Sequence, residues 1–180
     1  RDALMLAKGI LDRAEEKTIG HYGSISSTND LLAEYTHFEE LKPILESTNP
    51  HEVIRAYKSW MKKEGAALIL LNGIKSAAEV YLRSIGMTGI DYSKSPEDFY
   101  FIYSPHFATL PFFNTFAGTA TLLSEFMVRL APARNAALIA FFAANAKSIS
   151  PEIIKMDKLR SDIEKHVKDG YPLPAIAHDV

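Results

Sequence analysis

FATLPFFNTFAGTATLLSEFMVRLAPARNAALIAFFAANAKSI, residues Phe107–Ile149, is a long run of apolar and small side chains without strand-like alternation. Its spacing is helical. A helix is expected from the Pro111 turn to about Leu130. Pro132, whose fixed φ suits a first helical turn, is expected to start another helix that runs to about Lys147. Ala117, Gly118, Ala120, Ala133, Ala136, Ala137, Ala140, Ala143 and Ala144 suit two helices packed at close range. Arg129 and Arg134 stand out in this setting. Across Phe101–Ser150 the only acid is Glu125, and an unpaired buried charge is very costly. Two solutions remain open for the arginines. One is an internal salt bridge to a carboxylate. The other is an anion such as phosphate, held beside the helix start at the Ala131-Pro132 junction.

Outward from this stretch the pattern stays helical. Leu4, Ala7, Leu11 and Ala14 recur at three- and four-residue spacing, with Gly20 as the expected stop. His21–Ser27 reads as a loop. Thr28 or Asn29 is expected to cap a second helix carrying Leu31, Leu32, Tyr35, Phe38 and Leu41, divided by Pro43. Asn49-Pro50-His51-Glu52 is a strong helix start: a cap, a proline at the first helical position and an acid three residues after the cap. Val53, Tyr57, Trp60 and Met61 share one face. Ala66–Leu71 is continuously apolar and expected to be buried, and Gly73 is expected to interrupt it. Helical spacing resumes over Ile74–Ile85 and stops at Gly86 and Gly89. Ser95-Pro96-Glu97 starts a short aromatic helix. Ser150-Pro151-Glu152 starts a last helix ending near Gly170, and Tyr171–Val180 reads as a tail. The expected class is all-α: a compact bundle of about seven or eight helices, with residues 1–170 as one domain or lobe and 171–180 as a non-helical tail or exchange arm. The expected core holds Leu68, Leu70, Val80, Leu82, Phe112, Phe116, Leu122, Leu138, Phe141 and Phe142.

The chain has 180 residues, 47% of them hydrophobic, which suits one domain with a core that needs no staples. It lacks cysteine, so it has no disulfide and no thiolate metal site. The net charge of −2 argues against a strongly basic nucleic-acid coat but leaves room for a local basic groove. The start at Arg1 reads as a fragment or processed product. Ala136–Ala144, the longest unbroken apolar run, is far shorter than the roughly 20 residues of a membrane span. A soluble protein with no membrane partner is therefore expected, and the absence of cysteine fits a reducing, cytoplasmic compartment.

No catalytic or metal motif is present. The six histidines include no pair at i,i+4, and His51-Glu52 lacks the second histidine of a zinc-protease helix. Glu15-Glu16 and Glu39-Glu40 lie in charged helical stretches and read as solvated faces. Gly20-His21-Tyr22-Gly23-Ser24 is neither a nucleophile elbow nor a phosphate loop. The expectation is a protein that is not an enzyme and uses no cofactor. The dense aromatics Phe99, Tyr100, Phe101, Tyr103, Phe107, Phe112, Phe113 and Phe116 read as core before they read as a base-stacking platform. Arg55, Lys58, Lys62 and Lys63 are interleaved with acids and read as a solvated face.

The order of motifs resembles the C-terminal lobe of nucleoproteins from non-segmented negative-strand RNA viruses, rhabdoviruses especially. The segments that carry the resemblance run in one order. Lys17 precedes Tyr22-Gly23-Ser24-Ile25. An acid-capped helix start follows at Ser47–Val53. Gly86–Pro96 contains Ser93-Lys94-Ser95-Pro96. Pro111–Ala136 ends in the arginine cluster followed by Asn135-Ala136. The resemblance covers roughly Arg1 to Ser150; where the family often has a basic residue before the Tyr-Gly pair, this chain has His21. It implies phosphate contacts from Lys17, Lys94, Arg129 and Arg134. It also implies a partner-binding arm at Tyr171–Val180, with Tyr171, Pro172 and Pro174 as its contact residues. The implied function is sequence-independent encapsidation of single-stranded RNA, with neighbouring protomers or another lobe as partners, inside the cell or within a virion. Two other classes stand beside it: a helical interaction or scaffold module, and a helical small-molecule binder with its pocket among Phe99–Phe116.

Overall fold

The computed structural model describes residues 2–35, 43, 47 and 49–144, with the backbone alone at 50, 130, 131, 134, 142 and 144. It is all-α, with no strand among the described residues. The helices are α1 (Asp2–Tyr22), α2 (Thr28–Tyr35), α3 (Pro50–Ser84), α4 (Pro96–Tyr103), α5 (Pro111–Asn114) and α6 (Ala117–Ala144), with a 3-10 turn at Ser104–His106. The expected last helix and the tail, with Tyr171, Pro172 and Pro174, lie outside the described residues. Two compact units divide the chain. The first is Arg1–Thr36 with Met61–Val128, and the second is His37–Trp60 with Arg129–Val180.

The helix ends follow local chemistry. Ser27 caps α2, its Oγ accepting from the Asp30 backbone N–H at 3.2 Å, one residue earlier than expected. The Asp30 carboxylate reaches back to the backbone N–H of Ser26 at 3.2 Å and its hydroxyl at 2.7 Å. Asn49 caps α3 as expected, accepting from the His51 N–H at 3.1 Å. Ser95 caps α4 through the Asp98 N–H at 3.3 Å. At the end of α3, Met87 N–H donates to the Leu82 carbonyl and Gly86 N–H to that of Arg83. Gly86 has φ +71, so this is the paired-bond termination that a left-handed residue permits. Helix α1 passes Gly20 and ends at Tyr22, with Gly23 in the left-handed region at φ +80.

The expected break at Gly73 is absent. Helix α3 runs through it because Gly73 faces α1: a Cβ built there would lie 2.1 Å from the Ala14 Cβ. Further along, a Cβ on Gly65 would lie 3.0 Å from His21 Nε2. As α1 advances from 14 to 21, α3 falls from 73 to 65, so the two helices are antiparallel. Ala66, Ala67, Leu70, Leu71, Ile74, Ala77, Ala78 and Leu82 form the buried stripe of α3, and Ala7, Leu11, Ala14, Thr18 and Tyr22 that of α1. By length and composition alone His51–Ser84 would reach across a membrane, although Ala136–Ala144 would not; here 44% of its most apolar window is buried inside the protein.

Of the aromatic segment, Phe99, Tyr100, Phe107, Phe113 and Phe116 are buried as expected and Tyr103 and Phe112 are half-buried, whereas Phe101 is exposed. Phe107 is fully buried, with ring centroids 5.1 Å from Phe113, 5.9 Å from Tyr100 and 6.1 Å from Phe99. Helix α2 joins α6 through Tyr35 against Phe126 and through the Thr119 hydroxyl donating to Asn29 Oδ1 at 2.8 Å. Of the expected core, Leu70, Leu82, Phe116, Leu138 and Phe141 are buried, Leu68, Val80 and Phe112 are half-buried, and the side chain of Phe142 lies outside what is described. Leu122 is instead half exposed, since it falls on the outer stripe of α6 with Gly118, Thr121 and Arg129. Met61 is likewise exposed. In the second unit Val53, Ile54, Tyr57 and Trp60 of α3 are buried, and Ile139 packs against Ala136.

Candidate functional site

The junction expected at Ala131-Pro132 does not exist. Helix α6 is continuous from Ala117 to Ala144, with Pro132 inside it. An interior proline costs a helix about 3 kcal/mol. Buried residues on both sides, Phe126 and Met127 before it and Asn135, Ala136 and Leu138 after it, offset that cost. There is thus no helix N-terminus at this point to attract an anion. Arg129 is exposed rather than buried, so water solvates its charge, and among the described residues no ion pair reaches it, Glu125 included. Positions 129 and 134 are five residues apart, about 140° around a regular helix, so they do not share a stripe.

Lys94 is half-buried in the loop between α3 and α4. Its carbonyl accepts from Lys75 Nζ at 2.7 Å, and the Lys75 ammonium lies 5.8 Å above the centre of the Phe99 ring. In the same loop the Asp91 carboxylate accepts from both the backbone and the hydroxyl of Ser93, which holds its pKa below the usual carboxylate range. The loop is thus tied down by its main chain and by Asp91.

Lys17 sits in a groove. Ile10, Arg13, Ala14 and Lys17 of α1 face Ile69, Asn72, Gly73 and Ser76 of α3 across a cleft of about 350 Å³. The contact between Gly73 and Ala14 brings the two backbones together at its floor. Arg13 folds back toward Gly9, where a Cβ would lie 3.3 Å from a guanidinium nitrogen. Arg13 and Lys17 are exposed, one turn apart, and among the described residues neither makes an ion pair or hydrogen bond. The neighbouring carboxylate of Asp12 is engaged by Lys8 at 2.8 Å. Arg13, Asn72 and Ser76 were missed from the sequence. Arg13 and Lys17 do stand at i,i+4, but Asp12, Glu15 and Glu16 among them conceal the pair.

A second basic cleft, of about 310 Å³, lies in the other unit along the first turns of α3, lined by His51, Ile54, Arg55 and Lys58. Lys63 departs from the solvated face expected for it. It is buried, with its ammonium 3.4 Å from Glu34 of α2. The Tyr22 hydroxyl donates to the same carboxylate at 3.3 Å. Among the described residues no group of three histidines and acids is placed to hold a metal ion. The four residues implied by the resemblance divide between the units, Lys17 and Lys94 in the first, Arg129 and Arg134 in the second. Comparison with protein-family models, curated proteins and solved structures finds no match to this chain.

Proposed function

We propose that this chain binds single-stranded RNA through its phosphates, without sequence preference, as a helical coat-like lobe. The observation that carries the reading is the α1–α3 groove, where Arg13 and Lys17 present two cations with no protein partner among the described residues. The two residues stand one helical turn apart, about 5–6 Å at Cβ, and offer two positive charges to a phosphate backbone. Arg129, exposed on α6, is a further contact under this reading. Lys94 and Arg134 remain candidates through the resemblance alone, as does an arm at Tyr171–Val180 reaching a neighbouring protomer.

A salt titration of the full chain on a labelled RNA oligonucleotide tests the reading. Each phosphate contact contributes a slope of roughly −0.7 in log affinity against log salt for single strands. Replacing Arg13 and Lys17 together by Ala flattens the slope by about 1.4 and weakens every sequence alike. No binding by wild type, or a slope indifferent to the double variant, sinks the reading at this groove. A helical interaction module is the second reading, favoured by Phe101 and Ile102, adjacent on α4 and 51% and 45% exposed. In that case the protein self-associates without RNA, and Phe101→Ser abolishes the association.

A further inference from the structure

The α1–α3 groove has two unlike walls. One turn of α1 supplies Arg13 and Lys17, and one turn of α3 supplies Asn72 and Ser76. The first wall is cationic and donates only. The second is neutral: Asn72 carries two N–H donors and a carbonyl acceptor, and Ser76 a hydroxyl that both donates and accepts. Both are exposed, and among the described residues neither side chain is engaged in a hydrogen bond. The floor between the walls is closed by Gly73 against Ala14, so a chain lying in the groove stays at the level of these four side chains.

A phosphate needs the cationic wall alone. The neutral wall suits a group beside the phosphate that both donates and accepts, and on a nucleic-acid backbone that group is the ribose 2′-hydroxyl. We propose that the groove distinguishes ribose from deoxyribose: Arg13 and Lys17 hold successive phosphates while Asn72 and Ser76 hydrogen-bond the 2′-hydroxyl between them. This rests on the RNA-binding reading and adds the class of polymer selected. A hydrogen bond between neutral groups, net of the water it displaces, corresponds to a preference of about three- to tenfold.

The test uses the full chain and three oligonucleotides of equal length, oligo-U, oligo-dU and 2′-O-methyl oligo-U, titrated by fluorescence anisotropy at one salt concentration. Wild type is expected to bind oligo-U three- to tenfold more tightly than oligo-dU. The 2′-O-methyl strand, which keeps the oxygen and loses the donor, falls between them. Asn72→Ala with Ser76→Ala brings oligo-U down to the oligo-dU level and leaves oligo-dU affinity and the salt slope unchanged. The two single variants each lose part of the preference, which keeps the test valid if the double variant unfolds on melting. Equal binding of oligo-U and oligo-dU by wild type overturns the inference; the phosphate reading then survives if Arg13→Ala/Lys17→Ala still flattens the slope. A ribose preference that persists in the Asn72 and Ser76 variants also overturns it. Failure of wild type to bind any strand overturns both.

Discussion

At Gly73, helix α3 comes so near α1 that the Ala14 methyl leaves no room for a second one; at Gly65 the same two helices meet over the His21 ring, and next to that contact Lys63 carries its charge into the interior. The two ends of one helix pair thus treat cations in opposite ways. Near Gly73 the α1 cations Arg13 and Lys17 stay at the rim, in water. Near Gly65 a carboxylate is supplied by α2, and Glu34 pairs with Lys63 while accepting from Tyr22. What separates a structural cation from an available one is the third element. Helix α2 brings an acid within 3.4 Å of Lys63. The same side-chain chemistry at Lys17 meets only a groove whose opposite wall is neutral.

The largest expected effect is at the close contact. Gly73→Leu forces α1 off α3 and lowers stability by about 3 kcal/mol, the upper end for overpacking. Gly73→Ala costs less, and combining it with Ala14→Gly restores most of the loss, because the methyl moves from one helix to the other. Urea unfolding of the four proteins measures this; a Gly73→Ala variant as stable as wild type would contradict the contact. At the other end Glu34→Ala removes the carboxylate from a buried ammonium and a tyrosine hydroxyl, and is expected to cost about 1–3 kcal/mol. Lys63→Met keeps the apolar stem and drops the charge, so it is expected to cost clearly less, since apolar replacement of a buried pair is often near neutral.

A smaller effect concerns pH. The Ser26 hydroxyl, then that of Ser27, holds the Asp30 pKa below the usual carboxylate range. A depressed folded value contributes stability that is fully present above the unfolded pKa, about 3.9, and is lost as pH falls through the folded value beneath it. Asp30→Asn is therefore expected to flatten the fall of the urea midpoint below pH 4, and an unaltered acid limb counts against the Ser26–Asp30 cap as an anchor of α2. The smallest effect on stability belongs to the groove. Arg13→Ala/Lys17→Ala changes it by no more than about 0.5 kcal/mol, as for solvated surface residues, even though it is the variant expected to change RNA binding most.

The all-α class, the start of α3 at Asn49-Pro50, the start of α4 at Ser95-Pro96 and the burial of most of the Phe99–Phe116 aromatics, though not of Phe101, were legible because caps, prolines and apolar period act over a few residues. Gly73 and Pro132 were misread for one reason. Both weaken a helix locally, and both stand inside one because of what packs there: Ala14 against Gly73, and buried residues on either side of Pro132. Arg129 was misread in the opposite direction. Its neighbours in sequence are apolar, yet the helix turns it outward onto the stripe of Thr121 and Leu122. Of the groove residues only Lys17 was singled out beforehand, and only through the resemblance.

The sequence by itself determined that this chain is helical, where several helices begin, and that it contains no thiol chemistry. Those properties follow from backbone preference, capping and composition, which each residue carries wherever it is placed. Only the tertiary structure decided which lysine is buried and which is free, and that Asn72 and Ser76 stand across from Arg13 and Lys17. Such pairings join different helices, 29 residues apart for Glu34 with Lys63 and at least 55 across the groove, and the groove depends on how closely α1 and α3 approach, a distance set here by the absence of a single methyl group at Gly73.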